Sequence, residues 1–365
     1  MDVELGGFLN QNSTYDYNED YMYNEEGSEA VLIPVLYSVM LVVGLLGNVL
    51  LLAVLAQKRR SWSASDTFIL HLAVADILLL VTLPLWALLA AQHYGWRFGG
   101  FLCKISGAVF NINFYCGMFL LVCISLDCCL SVVHTTQPYI HLKPALAHFS
   151  CLLVWLLSLL FTIPDWIFLM AGEDAKQEKT LCIHNYSQSG ALWQLLSRLL
   201  HHTLGFLLPA VTLIFCWSCI LLRLQRRSKR LQKQRAIMVI LPLAVVFFLC
   251  WTPYNITLIV DTYRNSSKEP HKGSSGNPEG SLETALMVTS AMGCLHACLR
   301  PPVYLILCGN FRKRTLGFLR CATDESTGSL WELGVGEKAL PDQSQEGEEL
   351  KQITSVEHQV HPTQC

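Results

Sequence analysis

Two groups of residues in this sequence are placed to do chemistry with a partner. Tyr15, Tyr17, Tyr21 and Tyr23 are interleaved with Asp16, Glu19, Asp20, Glu25 and Glu26. Phenols in such acidic surroundings suit sulfation, which would add further negative charge, and an acidic segment attracts a basic partner over a long range. Taken alone, the same segment also reads as a solvated tail. The second group consists of ionisable side chains set in long apolar runs, where such groups are costly and usually functional. Asp165 and Asp261 lie near the ends of two such runs, where a carboxylate can meet a basic group. His71 and His296 are isolated, and read more readily as packed, hydrogen-bonded histidines than as metal ligands. No pairing of nucleophile, base and acid suggests an enzyme, and no cofactor or metal site is expected.

The elements that must position these residues are membrane spans. The 365-residue chain is 52% hydrophobic and 15% charged, with a mean hydropathy of +0.38, too apolar for an ordinary soluble domain. A spanning helix needs about 20 mostly apolar residues. Seven stretches qualify, at roughly 31–57, 66–92, 101–133, 145–170, 191–224, 235–261 and 282–308. The formal net charge of −2 hides a strong asymmetry. Residues 1–30 carry eight acids and no Lys or Arg, whereas basic residues gather at Lys58-Arg59-Arg60, from Arg223 to Arg235, and at Arg312-Lys313-Arg314. Each basic cluster follows an odd-numbered span, so by the positive-inside rule that side is cytoplasmic and the acidic N-terminal segment is outside. The lack of a basic region before the first apolar run argues against a cleavable signal peptide.

Cysteines and sequons fit this orientation. Most of the fifteen cysteines fall inside spans, where a thiol acts as a small apolar group. Cys103 and Cys182 fall on the extracellular side and can pair, although sequence alone does not prove a bridge. Sequons begin at Asn12, Asn185 and Asn265 on segments read as extracellular, while Asn255-Ile256-Thr257 lies within a span and is discounted. The expected fold class is an all-α membrane protein, a seven-transmembrane helix bundle. An acidic tail (1–30) precedes the bundle domain (31–308). An amphipathic helix eight (309–321) follows, with Phe311, Leu316, Phe318 and Leu319 supplying apolar contact, Arg312, Lys313, Arg314 and Arg320 facing anionic headgroups, and Cys321 open to palmitoylation. Residues 322–365 are acidic and polar and are expected to be disordered. Cys365 is not a prenylation box, which requires the cysteine fourth from the end.

Gly47-Asn48, Leu72-Ala73-Val74-Ala75-Asp76, Trp155, Pro209 and Cys250-Trp251-Thr252-Pro253-Tyr254, one match in each of five spans, resemble the rhodopsin-like receptors. Thr82-Leu83-Pro84-Leu85-Trp86 is similar to the Thr-x-Pro kink of the chemokine-receptor branch. Phe110-Asn111-Ile112-Asn113-Phe114-Tyr115 and Ile163-Pro164-Asp165-Trp166-Ile167-Phe168 look most like CXC-chemokine receptors of subtype three. The resemblance covers about residues 31–321. It implies that basic CXC chemokines of the interferon-inducible kind are the ligand. It also implies a pocket of Tyr37, Trp86, Phe110, Tyr254 and Ser290 with Asp165 and Asp261, approached through the tyrosines of the tail. A second disulfide common in these relatives, from the tail to the third extracellular loop, has neither cysteine here.

The departures from the family pattern fall together on the route that carries activation inward, which the resemblance runs through Asn113, Trp251 and the cytoplasmic ends of the spans. Asp127-Cys128-Cys129 stands where relatives carry Asp-Arg-Tyr, and cysteine cannot imitate the planar, permanently charged guanidinium that meets the G protein. Arg300-Pro301-Pro302-Val303-Tyr304 stands for Asn-Pro-x-x-Tyr. The family fold puts Arg300 beside Asp76, which usually binds sodium, so an Arg300–Asp76 ion pair in that site is expected. Trp217 replaces a tyrosine that reaches toward Tyr304 in the active state, and Pro242 adds a second proline to span six.

Two readings remain. One is an atypical receptor that captures and internalises chemokine with little heterotrimeric G-protein coupling, recruiting arrestin-type adaptors through phosphorylated Ser326, Thr327, Ser329, Thr354 or Ser355. The other is a conventional chemokine receptor in which the basic run before span six compensates. A light receptor would need a lysine in span seven, and residues 282–308 have none. A transporter would show an inverted or parallel repeat and helices interrupted near the midplane, and the sequence suggests neither. Nothing points to nucleic acid.

Overall fold

The computed structural model describes residues 17–57, 62–91, 95–133, 144–174, 179–186, 190–226, 231–266 and 278–320. Tyr15, Asn12, Cys321 and the segment 322–365 lie outside the described residues. Helix α1 (Tyr17–Gln57) contains the first span and runs back into the acidic segment, so Tyr17, Tyr21 and Tyr23 sit on its first turns.

The remaining spans are built from helices broken where the sequence dictates. Helix α2 (Ala64–Leu80) starts on a capping box, in which the Asp66 N–H donates to Ser63 Oγ at 3.3 Å and Ser63 N–H donates to Asp66 Oδ2 at 2.6 Å. It yields to α3 (Leu83–Ala91) because Pro84 has no N–H for the carbonyl four residues back. The turn tightens instead, with the Thr82 N–H and hydroxyl both donating to the Leu79 carbonyl, at 3.0 and 2.7 Å. Helix α4 (Gly99–Val133) is the third span. The fourth, α5 (Pro144–Phe161) and α6 (Ile163–Phe168), breaks two residues before Pro164. The helix was expected to continue to residue 170, but the backbone turns into strand β1 (Leu169–Asp174), which pairs antiparallel with β2 (Lys179–His184). This hairpin is not visible in the apolar pattern, because Leu169 and Met170 extend the apolar run by composition alone.

Span five contains α7 (Gly190–Leu200), a π-helical turn (His201–Leu207) and α8 (Leu208–Arg226). Pro209 cannot donate to the Gly205 carbonyl, and the wider turn absorbs that loss. Span six is α9 (Leu231–Ser266), span seven is α10 (Pro278–Leu307), and α11 (Gly309–Leu319) is the expected helix eight, burying Phe311 and Thr315 and exposing Arg312 and Lys313.

Six of the spans are both long and apolar enough to cross a bilayer by composition. The seventh, α10, is 30 residues long and carries buried His296 and Arg300. Polarity is distributed opposite to that of a soluble domain. Leu46, Ile214, Leu249 and Ile306 stand exposed on the outside, while Asn48, Asp76, Asn113, His296 and Arg300 are buried between the helices. Lipid on the outside makes that arrangement stable, since apolar surface costs nothing there and polar groups must be satisfied within the bundle.

Candidate functional site

At the centre of the bundle, Asp76 from α2 is fully buried and matched by Arg300 from α10. Arg300 Nη1 donates to Asp76 Oδ1 at 2.9 Å and to Oδ2 at 2.7 Å. Asn113 Nδ2 from α4 adds a bond to Oδ1 at 3.1 Å. His296 Nε2 lies 3.5 Å from the same oxygen. Its Nδ1 donates to the Gly293 carbonyl.

The guanidinium also lies over the Phe247 ring, its Cζ 5.9 Å from the centroid. Gly117 makes room for both, because a Cβ there would sit 2.7 Å from Phe247 and 3.1 Å from Arg300 Nη2. The ion pair expected between Asp76 and Arg300 is therefore present, and it ties span two to span seven. The neighbouring contact ties span one to span seven. Pro301 cannot donate to the Ala297 carbonyl, and Asn48 Nδ2 replaces that N–H at 2.8 Å, with a second bond to the Gly44 carbonyl at 2.9 Å. Removal of Arg300 would leave a buried carboxylate without its counter-charge, a cost of about 3–5 kcal/mol.

Above this layer, toward the end that carries the disulfide, lies an aromatic cluster. Trp251 is fully buried and contacts Phe110 at 5.1 Å, Phe114 at 4.8 Å, Tyr254 at 5.9 Å and His296 at 5.5 Å between ring centroids. Phe110 and Tyr254 meet each other at 5.3 Å, so these two expected pocket residues do converge, directly above Trp251. Tyr37 hydrogen-bonds Ser290, bringing spans one and seven together at the other side. Trp86 packs against Trp96 at 5.8 Å, beside the small cluster of Trp96, Cys103 and Leu169. The Cys103–Cys182 disulfide closes there, joining the start of α4 to β2, and the hairpin is further pinned by the Trp96 N–H donating to the Thr180 carbonyl.

Asp165 lies on α6. Asp261, expected to meet basic groups of a ligand, lies with Oδ2 3.6 Å from Arg198 Nη2 of span five. Beneath that pair, Tyr115 bonds His201 Nδ1 at 3.0 Å and His202 Nδ1 meets Asn255 Oδ1 at 3.2 Å. Asn255 Nδ2 donates to the Trp251 carbonyl at 3.0 Å.

Sequence reasoning missed Arg198, His201 and His202. The rule that flagged the two acids, an ionisable residue inside an apolar run, applies equally to them. Asn255, set aside as a sequon within a span, is buried and structural. Asn185 is exposed at the end of β2 and Asn265 lies on the last turn of α9.

At the opposite end, near helix eight, Asp127 and Cys128 are half-buried and Cys129 is buried. Trp217 is buried with its indole N–H meeting no acceptor among the described residues. Tyr304 is buried with its ring 6.1 Å from Phe311 of α11. Among the described residues, no group of three or more His, Cys, Asp or Glu could hold a metal ion.

The described residues thus form a multi-pass helical bundle with a polar centre, roofed by aromatic rings and a disulfide-tethered hairpin. Residues 47–304 match the family described as 7 transmembrane receptor (rhodopsin family). C-X-C chemokine receptor type 3 of Bos taurus is 42% identical over 320 residues, covering 84% of each chain, and that of Homo sapiens is 41% identical over 338 residues, covering 86% of each. C-X-C chemokine receptor type 1 of Oryctolagus cuniculus is 34% identical over 305 residues, covering 84% of this chain and 82% of its own. The chain belongs to the rhodopsin family of seven-transmembrane receptors and, within it, to the chemokine receptors.

Proposed function

We propose that this receptor captures and internalises basic CXC chemokines of the interferon-inducible kind, with weak or absent coupling to heterotrimeric G proteins. It sits in the plasma membrane with the disulfide end and the acidic segment outward, and follows its ligand into endosomes. Sulfated tyrosines among Tyr15, Tyr17, Tyr21 and Tyr23 make the first contact, and the ligand's N-terminal segment then enters above Phe110, Tyr254 and Trp251. Glycans at Asn12, Asn185 and Asn265 and a palmitoyl chain on Cys321 belong to the same reading, as do arrestin-type adaptors on the C-terminal segment.

The observation that carries the proposal is the linkage of spans two and seven by the buried Arg300–Asp76 pair, combined with Cys128 in place of the arginine that would meet a G protein. An element whose two halves are held by a buried ion pair must break that pair to rearrange, and the energy for doing so must come from differential ligand affinity. Trp217 lacks the hydroxyl that would repay it on the other side. Asp127, Trp251 and Tyr304, together with the basic residues from Arg223 to Arg235, favour the second reading, a conventional receptor driving calcium signalling and leukocyte chemotaxis.

Cells expressing the receptor and given labelled interferon-inducible chemokines separate the two. Uptake without G-protein activation is expected. Robust activation would sink the capture reading, and failure to bind any CXC chemokine would remove the ligand assignment.

A further inference from the structure

The bridge between Arg198 and Asp261 has no task in the scheme above. Its closest approach is 3.6 Å, and each side chain keeps 16% of its surface exposed. A well-made charged N–H···O bond is about 2.7–2.9 Å long, so this pair is loose and reachable by water. Arg198 Nε is buried and meets no acceptor among the described residues, leaving the guanidinium held at one edge.

The polar groups beneath it are committed elsewhere. His201 and His202 follow Arg198 on the same helical face, at i+3 and i+4. His201 is bonded to Tyr115 and stacked on Phe114 at 4.7 Å between ring centroids. Asn255 donates its amide to the Trp251 carbonyl, so its oxygen accepts and His202 must donate from Nδ1. Among these described pairs the rim pair is the longest, at 3.6 Å against 3.0 and 3.2 Å, and so the one that changes partner at least cost.

We infer that Arg198 is an internal competitor for Asp261, and that a basic ligand enters by exchanging one of its own cationic groups for that guanidinium. The inference rests on the capture of a basic chemokine proposed above. Exchange preserves the charge balance of the pocket, since the carboxylate trades one cation for another while Arg198 turns to solvent through its exposed edge. The consequence is selectivity. A ligand with a cation at this depth displaces Arg198, and a neutral segment must leave the pair closed, with spans five and six bridged.

The test uses full-length receptor on cells, with surface level followed separately. The probes are a labelled interferon-inducible CXC chemokine and the same chemokine lacking its N-terminal segment. Arg198→Gln should raise affinity for the intact probe about two- to five-fold, the range set by the modest worth of a partly exposed ion pair. Asp261→Asn should lower it about tenfold or more. The double variant should recover part of that loss, because the stranded guanidinium no longer repels the ligand. The truncated probe should show no gain with Arg198→Gln.

Unchanged or weaker binding by Arg198→Gln overturns the exchange, as does an equal gain for the truncated probe, which would mark bulk charge. Wild-type receptor at the surface that binds no such probe would bring down the capture reading and this one with it. Binding with silent Arg198 variants would bring down the exchange alone.

Discussion

Arg300→Asn tests the central ion pair directly. The substitution removes a guanidinium 2.7 Å from Asp76 Oδ2 and leaves the carboxylate with Asn113 Nδ2 at 3.1 Å and His296 Nε2 at 3.5 Å. Two unit charges 4 Å apart attract by about 4 kcal/mol at an effective dielectric of 20, and the measured cost of breaking one side of a buried pair is about 3–5 kcal/mol. For a chain longer than 250 residues each kcal/mol lowers the melting temperature by about 2 °C, so the variant should melt about 6–10 °C lower.

The vacated space also has the chemistry of a cation site, with Asp76 at its centre and, nearby, the buried Oδ1 atoms of Asn48 and Asn113, which meet no donor among the described residues. A cation binding there at ten times its dissociation constant would restore about 1.4 kcal/mol. The assay is thermal unfolding of purified receptor in sodium chloride and in the chloride of a bulky organic cation, at equal ionic strength. Wild type should melt at the same temperature in both, since its cation is built in. Arg300→Asn should melt lower in both and regain about 3 °C in sodium. The neutral pair Asp76→Asn with Arg300→Asn should recover most of the stability and show no sodium effect. Sodium stabilisation of the wild type, or a loss under about 1 kcal/mol in the single variant, would refute the reasoning.

Three further outcomes follow from the same geometry. Gly117→Ala places a methyl group against Phe247 and Arg300 and should cost about 1–3 kcal/mol, read as a lower melting temperature with little change in chemokine affinity. Cys128→Arg alone should yield little G-protein activation, whereas Cys128→Arg with Trp217→Tyr and Arg300→Asn should yield measurable ligand-dependent activation in a G-protein dissociation assay. Equal activation by the single change would show that the central pair and Trp217 do not restrain the bundle. Replacing Cys103 and Cys182 together by Ala opens a 79-residue separation and should cost about 4 kcal/mol, seen as loss of surface receptor or as a lower melting temperature.

The sequence showed its spans because a lipid-facing helix needs a long apolar run and little else, and the break at Thr82–Pro84 was legible because proline acts locally. The hairpin at 169–184 was not, since what makes Leu169 a strand residue is its packing on Trp96 and the disulfide, far away in the chain. The π-helical turn was hidden for a similar reason. Pro209 signals a lost bond, but the widening upstream also needs Gly205, where a Cβ would lie 2.6 Å from Tyr115. Arg300 and Asp76 could be paired in advance because each is intolerable alone in hydrocarbon and the family fold sets them side by side. The approach of Arg198 to Asp261 was not legible, since nothing in the local sequence of span six announces Arg198.

The amide of Asn48 serves as a donor that Pro301 cannot supply. That makes the two residues unequal under mutation. If Pro301 is replaced first, the returning backbone N–H and the Asn48 amide can share the Ala297 carbonyl, which has two lone pairs. If Asn48 is replaced first, that carbonyl is left bare inside the bundle. A lineage drifting away from this contact can therefore leave by one door only, losing the proline before the asparagine, and chains that keep Pro301 should be found to keep Asn48.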